Sequence, residues 1–548
     1  GDAQGYSRWL VRPWLQDLLR DGYLLVLQNV RGRFGSEGTF MLERPPRDRR
    51  DSGSVDEGTD AFDTVEWLLG HVPSNGRVGM LGVSNPARLV ALAMLEHHPA
   101  VKAYSPQAVP ADNFLGDDYF HQGAFRLSAM FGFFHAMETS KAFAEFPFDE
   151  LDLYSWFLRL GALSHVDERH FHGKLPTWND FVAHPSYDAH WKRHALPPLL
   201  DRVPAPTLHV GGAYDQEDRR GPVALYQAME QHDRAGQNFL VLGPWAHRTW
   251  RLTDGDRLGR IDFGGPTARF FREEVQAPFF ACYLKDRCGT KLPEALVFQT
   301  GSNVWQRLDA WPPKGTRERS LYLGPDGSLG FQPPARDGAG EADAFVSDPA
   351  APVPYQVRPI PAPNLDHEAS ARDWPIWQVA DQRALSGRPD VLSWRTGPLA
   401  EDVVVAGAIV AHLFVSTTGT DADFVAKLID VYPEQLPQEA SMGGYELMVA
   451  GEIVRGRFRR SLERPEPFTP GAVEALEVDL LPRSHVFKKG HRIMVQVQSS
   501  WFPLYDRNPQ TFVPNIFQAK DSDFRTQTHR VHRSRRHPSH VTFATSPP

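Results

Sequence analysis

The stretch Arg77 to Leu95, RVGMLGVSNPARLVALAML, constrains this chain more than any other. Val78 to Val83 is a short apolar run of the kind that makes a buried strand, and Pro86 to Leu95 is long enough for a helix. At their junction sit Gly82, Ser84, Asn85 and Pro86, a sharp strand-to-helix turn with a serine at its tip. A turn of this form is a nucleophile elbow: the strained backbone lifts the hydroxyl above the sheet, and the next backbone N–H faces the carbonyl under attack. Pro86 suits a first helical turn. By spelling alone G-x-S-x-x-A is looser than G-x-S-x-G and equally spells an ordinary βα turn, so the rest of the chain has to decide.

Upstream, Ser7 to Arg20 spaces its apolar residues as a helix and Gly22 stops it. Tyr23 to Val30 (YLLVLQNV) reads as a strand, and its nearly unbroken apolar character predicts burial on both faces, as in a parallel sheet. A helix from about Asp60 to Leu69 leads into the elbow strand, and Val101 to Ser105 is the next strand. From Tyr119 to about Leu200 aromatics and helical spacings dominate, which predicts a helical insertion. Strand and helix resume at Pro206: PTLHVGGAYD ends in Asp215, a helix covers roughly Pro222 to Gln231, and NFLVLGPWAH ends in His247. This alternation argues for an α/β sheet. Past about Leu292, short alternating segments such as Ala408 to Ser416, Phe424 to Val431 and Arg492 to Gln498 predict an all-β sandwich or barrel, with Asp337 to Pro363 as a long surface connection. The expected division is 1–118 and 205–291 for the two parts of the α/β domain, 119–204 for the insertion and 292–548 for the β domain. A length of 548 residues accords with several cores.

A net charge of −8 gives no basic field for nucleic acid, and the cluster Arg530 to His537 reads as a solvated strand edge. No apolar run approaches the roughly 20 residues that a membrane helix needs. Cys282 and Cys288 are too few for a disulfide framework or a four-thiolate zinc site; free buried thiols are expected, with a local bridge as the alternative. No ligand spacing suggests a metal, and no cofactor is expected.

Ser84, Asp215 and His247 follow one another in the order of an α/β-hydrolase triad, each just after a predicted strand. In those roles His247 takes the proton of Ser84, Asp215 orients the imidazole, and an acyl-enzyme forms and is hydrolysed. Asp215 also opens the string Asp215, Gln216, Glu217, Asp218, while Asp117 and Asp118 stand at the mouth of the insertion. Glu217 and Asp218 could simply start a helix at its positive dipole end. Acids gathered beside a catalytic Asp also repel one another, and a substrate cation relieves that repulsion by about 4 kcal/mol for a pair at about 4 Å and a dielectric near 20.

Together RGRFGSEG, GVSNPA, GDDYFHQGAFR, YDQED, GPWAH and SSWFPLYDRNPQ resemble the α-amino acid ester hydrolases, within the wider group of cocaine esterase and Xaa-Pro dipeptidyl peptidase relatives. The resemblance covers nearly the whole chain. It implies an α/β-hydrolase domain, a helical cap and a C-terminal jelly roll, with Ser84, Asp215 and His247 as the triad. It makes Asp118, Glu217 and Asp218 the carboxylates that hold a substrate α-ammonium group. The implied substrate is a small ester or amide with a free α-amino group, whose acyl part can also pass to a β-lactam amine; no nucleic acid or membrane partner is implied, and a homo-oligomer is compatible. A plain carboxylesterase, a dipeptidyl peptidase-like hydrolase, or a truncated, weakly active relative that acts as a binding protein are the alternatives.

Asn85 stands where the family usually has Tyr, and its backbone N–H remains the expected oxyanion donor. Ala87 replaces the usual Gly. The family's second donor, a Tyr side chain, follows a strand that lies upstream of Gly1, so the N-terminal strands of the hydrolase fold are expected to be missing and the chain to be a fragment. That strand pairs beside the elbow strand, and its absence predicts a gap with unpaired backbone groups. The resemblance implies a periplasmic or secreted protein; no signal peptide is visible, and a cytoplasmic location stays open.

Overall fold

The computed structural model describes residues 13–335, 341–362, 374–437 and 439–545. Six strands form the first sheet: β1 (Val78–Val83), β2 (Val101–Gln107), β3 (Thr207–Tyr214), β4 (Asn238–Ala246), β5 (Ala295–Gln299) and β6 (Val304–Leu308), lying side by side in chain order. β1 to β5 pair in parallel and β6 closes the edge antiparallel. The apolar runs reflect burial from both sides. Ala103 of β2 packs into one core with Trp14, Leu208, Val210 and Phe280, while the next residue, Tyr104, packs into the other with Val65, Ala91, Leu225 and Met229. The helices of these cores include α1 (Pro13–Arg20), α2 (Glu57–His71), α3 (Asn85–Leu95), α7 (Arg220–Glu230) and α8 (Ala277–Lys285). Asp56 caps α2 through a box in which its carboxylate accepts from the Thr59 N–H and the Thr59 hydroxyl from the Asp56 N–H.

The insertion between β2 and β3 is helical as expected, with α4 (Leu127–Glu138), α5 (Leu153–Leu160) and α6 (Pro176–Ala183), but it opens on a short hairpin, Phe120–His121 against Ala124–Phe125. Its aromatic residues form a continuous core with the C-terminal part: Phe517 stacks on Phe181 and meets Phe120, Phe125 and Trp178 edge-on. The cap is thereby fastened to the β domain through a shared aromatic core. That β domain packs a seven-stranded sheet and a four-stranded sheet around an aliphatic core including Leu413, Phe424, Leu428, Val495 and Val541.

Four expectations need correction. Tyr23–Val30 is not a strand: among the described residues it joins no sheet, it lies across an apolar cleft of about 640 Å³ from Val78–Leu81, and Leu24 is 64 % exposed. A strand needs a neighbouring strand for its ladder of N–H and C=O groups, and among the described residues neither this segment nor the outer edge of β1 pairs with one. The sheet also runs past residue 291, because β5 and β6 extend it; a short buried strand reads the same whichever sheet receives it. Asp337–Pro363 is no mere surface connection: Ala342–Ser347 pairs with Gln527–His532, and Tyr355 and Ile360 are buried. Asp337–Gly340, Pro363 and the Ser7–Arg12 part of the first helix lie outside the described residues. Finally, Cys282 and Cys288 are bridged, since Asp286 takes a left-handed conformation at the end of α8 and turns Cys288 back over the last helical turn. No described helix is long and apolar enough to cross a membrane.

Candidate active site

Ser84 sits between β1 and α3 at φ 68° and ψ −136°, a conformation L-residues rarely adopt and the geometry of a strained elbow. Gly82 makes it possible, because a Cβ there would lie 2.4 Å from the Pro86 carbonyl oxygen. The Ser84 N–H donates to the Gln107 carbonyl at 2.9 Å. The Gln107 side chain is held in turn by Trp250 at 2.8 Å and Gln276 at 2.8 Å, so the strained turn rests on a buried polar platform. Asn85 is the first residue of α3, where an N–H has no partner within the helix, as an oxyanion donor requires.

Asp215 follows β3 and His247 follows β4, and the parallel register sets both at the same sheet end as Ser84. His247 Nδ1 lies 3.0 Å from both carboxylate oxygens of Asp215, which also accepts from the N–H groups of Glu217 at 2.8 Å and Asp218 at 3.0 Å. A carboxylate takes hydrogens only, so Nδ1 carries the proton and Nε2 is the free base. Burial works against the Asp215 charge, but His247 and the two backbone donors hold its pKa below the ordinary value. His247 Nε2 makes no hydrogen bond to any described residue; Glu217 lies 3.1 Å away outside hydrogen-bonding geometry. No hydrogen bond joins Ser84 to His247 among the described residues, and such bonds commonly tighten only around substrate.

Asp118, Glu217 and Asp218 converge beside this pair. Burial and the charges of Asp118, Asp117, Asp215 and Glu217 push the Asp218 carboxyl well above its usual range. Asp118 is raised likewise by burial, Glu217, Glu43 and Asp117, with Arg126 pulling the other way. Both oxygens of Asp218 and Oδ1 of Asp118 lack any hydrogen-bond partner among the described residues. Asp117 is different in kind: it accepts from the N–H groups of Ala111, Asp112 and Gly221 and so builds the loop, although burial lifts it to about 7. Glu217, Asp218 and His247 bring ligand atoms within 4.8 Å of one another, so a cation of any kind would meet them together.

Sequence reasoning missed Glu43, which accepts from the Tyr119 hydroxyl at 2.8 Å and faces Arg88 of α3 at 3.3 Å. It also missed Arg88, which donates to the carbonyls of Pro110 and His194 and ties the elbow helix to the cap. Neither carries a local signal, since every partner lies outside its own element.

The description "X-Pro dipeptidyl-peptidase (S15 family)" fits residues 3–249, and "X-Pro dipeptidyl-peptidase C-terminal non-catalytic domain" fits residues 288–542. Cocaine esterase from Rhodococcus sp. (strain MB1 Bresler) is 32% identical over 557 residues, which span 97% of this chain and 89% of that protein. Among solved structures, an aminopeptidase from a marine sediment Thaumarchaeota archaeon superposes with a TM-score of 0.94 at 40% identity, over 98% of this chain and 88% of its own. An α-amino acid ester hydrolase superposes with a TM-score of 0.93 at 41% identity, over the same shares. With relatives aligned along almost the whole chain, and a serine elbow at the end of a parallel sheet, the chain belongs to the cocaine esterase and Xaa-Pro dipeptidyl-peptidase superfamily of serine hydrolases.

Proposed function

We propose that this enzyme hydrolyses esters and amides of α-amino acids whose amino group is free. The observation that carries this is the buried, unsatisfied carboxylate pair Asp118 and Asp218 beside the His247–Asp215 couple. Such acids are costly to ionise alone and become favourable around a cation. A substrate α-ammonium is such a cation, and it is attached one carbon from the carbonyl under attack, which suits a cluster this close to the triad. In the reaction, Ser84 Oγ attacks that carbonyl while His247 Nε2 accepts the hydroxyl proton. Asp215 stabilises the imidazolium through Nδ1, and the Asn85 N–H donates to the oxyanion. His247 returns the proton to the leaving alcohol or amine, and water repeats the sequence on the acyl-enzyme.

The same ammonium site would take the N-terminus of a short peptide, which agrees with the aminopeptidase among the similar structures. An added amine, a β-lactam amine included, can replace water in the second half-reaction. A periplasmic or secreted location is supported by the Cys282–Cys288 bridge, a bond that oxidising compartments preserve. Hydrolysis of phenylglycine methyl ester and its N-acetylated form, with Ser84→Ala as control, tests the proposal. The free amine should be strongly preferred and both activities lost in Ser84→Ala; equal rates would leave a serine esterase without an ammonium site.

A further inference from the structure

The acidic cluster stands on two arms from separate parts of the chain. One is the cap hairpin, which follows Asp118; the other is the loop from Asp215 to α7, which carries Glu217 and Asp218. Among the described residues the hydrogen bond from the Gly221 N–H to Asp117 joins the two arms directly. The C-terminal domain touches both. Glu452, on its Glu446–Arg455 strand, accepts from His121 Nδ1 at 2.8 Å and lies 3.8 Å from Arg219. His121 comes three residues after Asp118 on one arm, and Arg219 directly follows Asp218 on the other. Tyr505 adds a hydroxyl donor at 3.2 Å and the Ile453 N–H another at 3.2 Å, so the Glu452 carboxylate is fully engaged in a buried position.

A second strut repeats the plan with the adjacent residues. The Asp479 backbone exchanges hydrogen bonds with the Gln122 side chain at 3.0 and 3.2 Å, and its carboxylate accepts from Arg220 at 2.5 Å. That ion pair is about a third exposed and so contributes less than one sealed from water. Glu452 is the buried one: its side chain is 5% exposed, against 8% for His121 and 10% for Arg219.

We infer that Glu452 is a positioning residue of the active site, a single carboxylate of the C-terminal domain that sets the distance between the two arms of the acidic cluster by gripping His121 on one and Arg219 on the other. It touches neither substrate nor triad in this scheme. Its effect falls on recognition of the ammonium and spares the acyl chemistry. The inference rests on the ammonium reading above. Burial alone would raise the Glu452 carboxyl, and His121 and Arg219 instead hold it below its ordinary value, in keeping with a charge that the two arms need.

The test is steady-state kinetics of Glu452→Gln, which keeps the shape and the acceptor for Tyr505 but removes the charge, on phenylglycine methyl ester and its N-acetylated form. KM for the free amine should rise tenfold or more, while kcat for the N-acetylated ester stays within about twofold. His121→Asn and Arg219→Gln each cut one spoke; each should raise KM for the free amine, and their double variant should do no worse than Glu452→Gln. Where Glu452→Gln fails to fold, the two single variants still decide: each should raise KM for the free amine while kcat for the N-acetylated ester stays within about twofold, and unchanged KM in both would overturn the inference. A wild-type enzyme that prefers the free amine and a folded Glu452→Gln that keeps the full preference would overturn the inference alone. Equal losses on both esters would overturn it as well, by making Glu452 a support of the triad or the fold. A wild type with no preference would remove the ammonium reading first and this inference with it.

Discussion

Buried acids gather in two regions of this molecule, and among the described residues only one region bonds them to a counter-charge. At the seam between cap and β domain, Asp423 and Asp506 enclose Arg455, which meets Asp423 at 3.1 and 2.9 Å and Asp506 at 2.9 and 2.8 Å. Asn508 adds a donor to Asp423, and the Phe125 N–H one to Asp506. At the sheet end, Asp118 and Asp218 are equally buried, and among the described residues no cation hydrogen-bonds to Asp118 Oδ1 or to either oxygen of Asp218. Seam carboxylates that are fully bonded hold two domains together. Unbonded ones keep a cost in the folded state that a visiting cation can relieve. Satisfied and unsatisfied burial thus separate structure from function where residue type cannot.

The largest effect expected from breaking this contrast is at the seam. Arg455→Ala strands two carboxylates in the interior and should cost about 3–5 kcal/mol of stability, read from urea unfolding. A loss below about 1 kcal/mol would mean the seam acids are less dependent on Arg455 than their geometry shows. At the sheet end the same kind of change should act in the opposite direction on stability. Asp218 has its folded pKa raised, so the stability it allows is full below the unfolded carboxylate pKa and is lost as pH rises through the folded one. Asp218→Asn should therefore flatten the fall in melting temperature toward neutral pH. It should also lower kcat/KM for a free-amine ester by roughly 30- to 160-fold, the worth of about 2–3 kcal/mol for a buried charged hydrogen bond, and leave the N-acetylated ester nearly unchanged.

A smaller effect sharpens the comparison through pH. The ratio of kcat/KM for the free-amine ester to that for its N-acetylated form cancels any pH dependence that the two substrates share. Because Asp118 and Asp218 are raised, the ratio should climb with pH above the ordinary carboxylate range. It should fall again as the substrate amine deprotonates, around 7.7–8.0 for an unperturbed amine. A flat ratio would detach the acids from the ammonium. The smallest effect at neutral pH lies at Lys427, a lone buried base bonded to Gln382 at 3.0 Å, which burial lowers to about 7. Its folded pKa is depressed, so stability rises with pH from about 7 toward the unfolded lysine value. Lys427→Met should remove that slope, at most about 1.4 kcal/mol per pH unit, and leave turnover within about twofold.

What the sequence made legible follows the range of the interactions involved. The elbow is local: Gly82, Ser84 and Pro86 write their own geometry, and the strands before Asp215 and His247 announce themselves by apolar runs. Their order places the triad candidates at one sheet end. The acidic string 215–218 was legible for the same reason. Glu43, Arg88, Glu452 and Arg219 were not, because each acts through partners on other elements; Glu452 meets His121 across 331 positions of chain. Tyr23–Val30 shows the converse failure. Its composition spells a strand, yet pairing is a property of neighbours, and among the described residues no strand lies beside it to pair with. The two cysteines were misread because the left-handed turn at Asp286 that joins them leaves no mark in cysteine count.

The measurement that bears most directly on the unsatisfied acids is the number of protons exchanged when Ser84→Ala binds phenylglycine methyl ester, from calorimetry in two buffers of different ionisation enthalpy near pH 6.5. Carboxyls kept protonated by burial and mutual repulsion should lose protons to the buffer as the ammonium arrives. The N-acetylated ester should release none, and Asp118→Asn combined with Asp218→Asn should abolish the release. Binding of the free amine with no proton release, or equal release with both esters, would contradict the account.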